Sequence, residues 1–130
     1  MDKKPLALII EDNEDQNLIF TTALANAGFD TISISDGAVA QQKISETPAD
    51  VIVLDLHLPS IHGEILLKQI RKSSHLSEVR IILATADGAL ASTLKSQVDL
   101  VLLKPISFTQ LNKLASRFLN HPKSDDGDEV

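Results

Sequence analysis

The stretch Val51-Ile52-Val53-Leu54-Asp55 sets an acidic side chain directly after four consecutive apolar residues. An apolar run of this length, rich in β-branched residues and ended by a charge, reads as a strand buried on both faces. Similar runs lie at residues 6–10 and 31–34 on one side of it and at 80–84 and 100–103 on the other. Between them the apolar residues recur with helical spacing. The first helix is expected at about 14–27, with Ile19, Phe20, Ala23, Leu24 and Ala27 on one face and Gly28 as its stop. The second opens after Asp36, an N-cap residue type, and carries Val39, Ala40 and Ile44 ahead of Pro48. A third at 63–72 buries Leu66, Leu67 and Ile70, and a fourth at 88–96 has the weakest pattern. Ser107 and Gln110 form a capping box ahead of Leu111, Leu114, Ala115 and Phe118 in the last.

Strands and helices that alternate in this way imply parallel pairing, because parallel neighbours need a crossover and the common crossover is a helix. The expected fold is α/β: a doubly wound five-stranded parallel sheet of the flavodoxin-like kind, order 2-1-3-4-5, with five flanking helices.

A chain of 130 residues with 43% hydrophobic content has the size of one domain, expected over residues 1–121. The absence of cysteine removes disulfides and thiol chemistry and fits a cytoplasmic protein. The apolar run at 6–10 is too short for a signal peptide or a membrane span. Half of the net charge of −6 falls in the acidic segment 122–130, where Asp125, Asp126, Asp128 and Glu129 oppose Lys123; a disordered tail is expected there. No basic stripe is present, and four Phe with no Tyr or Trp offer little for base stacking, so no nucleic-acid partner is expected. His57, His62, His75 and His121 show no metal-ligand spacing.

Ligands of doubly wound sheets bind beyond the carboxyl ends of the strands, where the strand order reverses. The first strand ends in Glu11-Asp12, the third in Asp55, the fourth in Thr85 and the fifth in Lys104-Pro105. In the order 2-1-3-4-5 the first and third strands are neighbours at the reversal, which gathers Glu11, Asp12 and Asp55. Three clustered carboxylates call for a cation, and hard oxygen ligands suit Mg²⁺. Lys104 adds a positive charge opposite them, and Thr85 a hydroxyl. Taken singly, each of these residues has a plain structural explanation: a turn acid, a helix N-terminal acid pair, a strand-end threonine, a solvated lysine. Together they are the parts needed for in-line phosphoryl transfer to Asp55.

The segments LIIEDN, VIVLDLHLP, LATA and LKP, in this order and spacing, resemble those of the response-regulator receiver domain over about residues 5–120. The resemblance implies that Asp55 is the phosphoacceptor, that Asp12 binds Mg²⁺ directly and that Glu11 acts mainly through water. It adds the backbone carbonyl of His57 as a metal ligand, Thr85 as the switch hydroxyl, Lys104 as the phosphoryl-binding lysine and a cis Lys104–Pro105 bond. Pro59 and Gly63 fit the loop after the acceptor. His57 and Asp87 occupy positions that tune phosphoryl loss. The implied partners are a histidine kinase or histidine phosphotransfer protein and a downstream protein, for a monomer or weak dimer that is not itself an enzyme.

Two departures from the family stand out. Val101 replaces the usual aromatic, and Gln97-Val98 replaces the usual Gly-Ala pair. Leu18, off the apolar stripe of the first helix, is a candidate docking contact. Three other readings compete. A phosphatase would want an acid where His57 stands. A flavin carrier would want a Ser/Thr/Gly-rich phosphate loop where Glu11-Asp12 stand. A phosphorylation-independent interaction domain would not need the acidic pocket.

Overall fold

A computed structural model describes residues 3–120 of the chain. Strands β1 (Leu6–Ile10), β2 (Asp30–Ile34), β3 (Val51–Leu54), β4 (Arg80–Thr85) and β5 (Leu100–Leu103) form one sheet in the order β2-β1-β3-β4-β5. Every neighbouring pair is parallel, with Ile10 opposite both Ile34 and Leu54, Leu54 opposite Leu83, and Thr85 opposite Leu103. Helices α1 (Glu14–Ala27), α2 (Gly37–Glu46), α3 (Gly63–Lys72), α4 (Gly88–Leu94) and α5 (Phe108–Asn120) supply the covering layers.

Side chains alternate along each strand, so one strand feeds two cores. Leu8, Ile10, Ile52, Leu54, Ile81 and Leu83 pack with Ala40, Ile44, Leu66, Leu67, Ile70 and Leu94 of α2, α3 and α4. Ala7, Ile9, Val51, Val53, Ile82 and Ala84 pack with Phe20, Ala23, Leu24, Leu111 and Ala115 of α1 and α5. Double-sided burial explains why these strands are nearly unbroken apolar runs. Each fully buried Leu or Ile contributes about 1.5–3 kcal/mol.

The helix ends follow local chemistry. Asn13 caps α1 by accepting from Gln16 N at 2.9 Å, and Glu14 and Asp15 favour the positive end of its dipole. Gly28, at φ 116°, ends it in the left-handed conformation that a side chain would disfavour. Asp36 caps α2 through Ala38 N and Val39 N, Asp87 caps α4 through Leu90 N, and Ser107 Oγ accepts from Gln110 N at 3.0 Å ahead of α5.

Three expectations need correction. Ile19 and Val39 are exposed, because the buried stripe of α1 runs through Asn17, Phe20, Ala23 and Leu24 and that of α2 through Gly37, Ala40 and Ile44. Helix α4 ends at Leu94 and passes into a 3₁₀ turn, Lys95–Gln97, rather than running to residue 96. At α5 the Ser107 half of the capping box is formed. The expected tail at 122–130 and His121 lie outside the described residues. Among the described residues no helix is long and apolar enough to cross a membrane.

Candidate functional site

The carboxyl ends of β1 and β3, adjacent at the reversal of strand order, carry the acids. Asp55 N donates to Ile10 O at 3.0 Å, which extends the β1–β3 ladder by one residue and sets Asp55 beside Glu11. Oxygens of Glu11, Asp12 and Asp55 all lie within 4.8 Å of one another. Glu11 and Asp55 are buried and Asp12 is exposed, so the cluster opens to solvent on the Asp12 side.

Lys104 leaves the end of β5, where its N–H donates to Thr85 O at 2.9 Å. Its Nζ stands 2.7 Å from Glu11 Oε1 and 3.3 Å from Asp55 Oδ2. Asp55 Oδ1 accepts from His57 N at 3.1 Å, and Glu11 Oε2 accepts from Asn13 N at 3.1 Å. Burial pushes the Glu11 carboxyl above the usual carboxylate range; Lys104 and the Asn13 N–H pull it back, and the Asp55 charge raises it further. The Lys104–Pro105 bond is cis, as expected.

Thr85 is fully buried, and its Oγ1 accepts from Asp87 N at 3.0 Å. Asp87 in turn caps α4, and its Oδ2 lies 3.2 Å from Nε2 of the exposed His57. The Leu90 N–H, helped by His57, holds the Asp87 carboxyl below its ordinary range. His57 and Asp87 thus form a bridge between the loops after β3 and β4, a pairing their separation of thirty positions concealed.

Gly63 explains why the loop after Asp55 turns so tightly. Its N–H donates to Leu56 O at 2.9 Å, and a Cβ there would fall 2.6 Å from Asp55 O and 2.6 Å from Leu56 Cα. Val101, at the position of the usual aromatic, is partly buried against the core shared by α2, α3 and α4. Beside it, Arg71 of α3 donates through Nε to Gln97 O at 2.6 Å and lies 3.5 Å from Asp99 Oδ2. Leu18, 67% exposed, faces solvent on α1.

Asn17 is the functional neighbour that strand-end reasoning overlooked. It is buried on α1 and donates from Nδ2 to Glu11 O at 2.8 Å and to Ile34 O at 3.2 Å. The available signal was its place three residues before Phe20 and seven before Leu24, a polar residue on the core stripe.

The donor set is all oxygen, and three carboxylates face one ammonium. That leaves a negative excess which a hard divalent cation would balance, so the residues fit Mg²⁺. The cluster and the lysine opposite it lie at the topological switch point, where ligands of doubly wound sheets bind. A family profile described as "Response regulator receiver domain" matches residues 7–116. The chain belongs to that family, the receiver domain of two-component systems.

Three relatives and two solved structures are similar to it. It is 28% identical over 116 residues to the regulatory protein AtoC of Escherichia coli, covering 86% of this chain and 24% of that protein. It is 27% identical over 105 residues to the chemotaxis protein CheY1 of Helicobacter pylori, covering 77% and 85%. The chain therefore spans about a quarter of AtoC, and 12% of the sensor histidine kinase TmoS of Ectopseudomonas mendocina. The signal receiver domain of a candidate Luxo repressor protein from Vibrio parahaemolyticus superposes with a TM-score of 0.83 at 27% identity, covering 98% of this chain and 99% of that one. The receiver domain of sensor histidine kinase PA1611 from Pseudomonas aeruginosa, with magnesium coordinated in its active-site cleft, shares the fold at a TM-score of 0.79 and 23% identity, covering 91% and 99%. Receiver domains accept phosphoryl groups in signalling, bind Mg²⁺ at an acidic site and interact with histidine kinases and effectors.

Proposed function

We propose that Asp55 accepts a phosphoryl group from a histidine kinase or histidine phosphotransfer protein, and that the acyl phosphate switches a protein-interaction surface. One observation carries this reading: Asp55 Oδ2 contacts Lys104 Nζ at 3.3 Å while its carboxylate belongs to the cluster with Glu11 and Asp12. The phosphorus–nitrogen bond of the donor phosphohistidine breaks as a carboxylate oxygen of Asp55 bonds to phosphorus, and the imidazole leaves. Lys104 orients and neutralises a phosphoryl oxygen, and the Thr85 hydroxyl turns from Asp87 N to donate to another.

Glu11, Asp12, Asp55 and the His57 carbonyl would hold Mg²⁺, which supplies charge neutralisation for the transferring group when bound. Such a domain is a signalling phosphoacceptor rather than an enzyme acting on an outside substrate. Residues 1–121 are its folding unit, with 122–130 an acidic segment, in a cytoplasmic monomer or weak dimer that contacts a downstream protein. The names of relatives, a sensor histidine kinase among them, support a partner of that kind.

The test is intact-mass measurement after treatment with a small phosphodonor, with and without Mg²⁺. The wild type gains one phosphoryl group only with Mg²⁺, and Asp55→Asn gains none. A gain that persists in Asp55→Asn overturns the assignment.

A further inference from the structure

We propose that Asn17 is a positioning residue for the cation site, holding the Glu11–Asp12 peptide so that both carboxylates face Asp55. The inference rests on the reading of Glu11, Asp12 and Asp55 as that site.

The side-chain amide of Asn17 is fully used. Nδ2 donates to two carbonyls, Glu11 O at 2.8 Å and Ile34 O at 3.2 Å. Oδ1 accepts from Thr21 Oγ1 at 3.0 Å and from Ser33 Oγ. Carbonyls only accept, so the amide orientation is fixed by its partners. Asn17 is only 6% exposed, and its two bonds to the Glu11 and Ile34 carbonyls are buried, where losing a partner costs most; those from Thr21 and Ser33 are part-buried.

What the amide holds is the peptide unit between the two acids. Glu11 O, Asp12 N and Asp12 Cα share one rigid plane, so anchoring that oxygen sets the direction in which Asp12 leaves the strand. The rest of Glu11 is anchored independently: its N–H donates to Ile34 O at 3.0 Å, Oε2 accepts from Asn13 N, and Oε1 meets Lys104. Asn17 supplies the missing constraint, and it ties the site to the edge strand β2 through Ser33 and Ile34. Groups that orient metal ligands in this way change metal affinity by about 10–100-fold when removed.

Mg²⁺ titrations followed by backbone amide NMR shifts test this. Asn17→Ala weakens Mg²⁺ binding about tenfold. The control is Asn112→Ala, which breaks side-chain bonds from α5 to Ala23 O and Asn26 Oδ1 of α1, away from the acids; it keeps the wild-type Mg²⁺ affinity within about twofold, since it loses packing bonds only. If Asn17→Ala does not fold, Ser33→Ala, which leaves Oδ1 of Asn17 with one donor fewer, weakens binding about threefold, the scale of one neutral hydrogen bond. Affinity unchanged in the Asn17 variant, or in Ser33→Ala when that stands in for it, overturns the proposal, as does equal weakening in Asn112→Ala. A wild type whose shifts do not respond to Mg²⁺ overturns the site reading itself.

Discussion

Lys104 Nζ lies closer to Glu11 Oε1, at 2.7 Å, than to Asp55 Oδ2, at 3.3 Å. The ammonium is therefore shared between two buried acids from different strands, and it is their counter-charge within the protein. In the proposed transfer, a phosphoryl oxygen arriving at Asp55 would compete with Glu11 for it.

Removing that counter-charge leaves two carboxylates buried together. Lys104→Met lowers stability at neutral pH by about 3 kcal/mol in metal-free buffer, the scale for breaking a buried ion pair from one side. Added Mg²⁺ restores part of the loss. Urea unfolding with and without Mg²⁺ measures both.

Glu11 gives the stability a pH dependence. Its carboxyl is raised above the ordinary value of 4.5, chiefly by burial, so the folded state binds this proton more tightly than the unfolded chain does. Glu11 then contributes no penalty below about 4.5, and its contribution to metal-free stability falls as pH rises from there through the folded value. Glu11→Gln removes that fall. Melting temperatures of the two proteins in chelator should diverge with rising pH, the variant becoming the more stable; parallel curves would contradict the burial argument.

Gly63 is a steric requirement of the acceptor loop. In Gly63→Ala the new methyl meets main-chain atoms of Asp55 and Leu56 at 2.6 Å, which must move. Overpacking of that kind costs about 1–3 kcal/mol. The displaced Asp55 also slows labelling by a small phosphodonor, read as the rate of the mass gain.

The His57–Asp87 bridge crosses from one loop beside Asp55 to the other. His57→Ala opens it with little effect on stability, as for exposed pairs. Loss of the phosphoryl group then quickens, because water reaches the acyl phosphate more freely. A time course of the phosphorylated mass decides this, and an unchanged lifetime would rule the bridge out as a shield.

Core and surface leucines separate folding from signalling. Leu67→Ala, at a fully buried position, costs about 2–5 kcal/mol. Leu18→Ala, on the solvent face of α1, stays within about 0.5 kcal/mol of the wild type. A Leu18 variant of normal stability that is phosphorylated more slowly by a kinase than by a small phosphodonor would mark a docking contact.

Much of the fold and site was legible because its signals are local. The run Val51–Leu54 is apolar without alternation because both faces of β3 are covered, and the same holds for β1 and most of β4. Asp36 and Ser107 cap helices through backbone N–H groups two or three residues away, a range that sequence spacing reports directly; Asn13 and Asp87 cap α1 and α4 in the same way, although no cap was expected at either. Glu11, Asp12, Asp55, Thr85 and Lys104 could be picked out because each ends a strand, and in a parallel sheet all such ends lie on one edge. The rest was decided only by packing. Ile19 has the residue type of a core position yet faces solvent, while Asn17 is buried, since the stripe that α1 presents depends on how it sits against the sheet. The preference of Lys104 for Glu11, the meeting of His57 with Asp87, and the grip of Asn17 on Glu11 O and Ile34 O join different elements. By itself the sequence determined the elements and the edge on which the chemistry gathers, because periodicity and strand ends are short-range properties; the strand order came with the doubly wound fold class and not from periodicity. Which side chain holds which at that edge was settled by the tertiary structure alone, because those distances depend on the register and tilt of elements far apart in the chain.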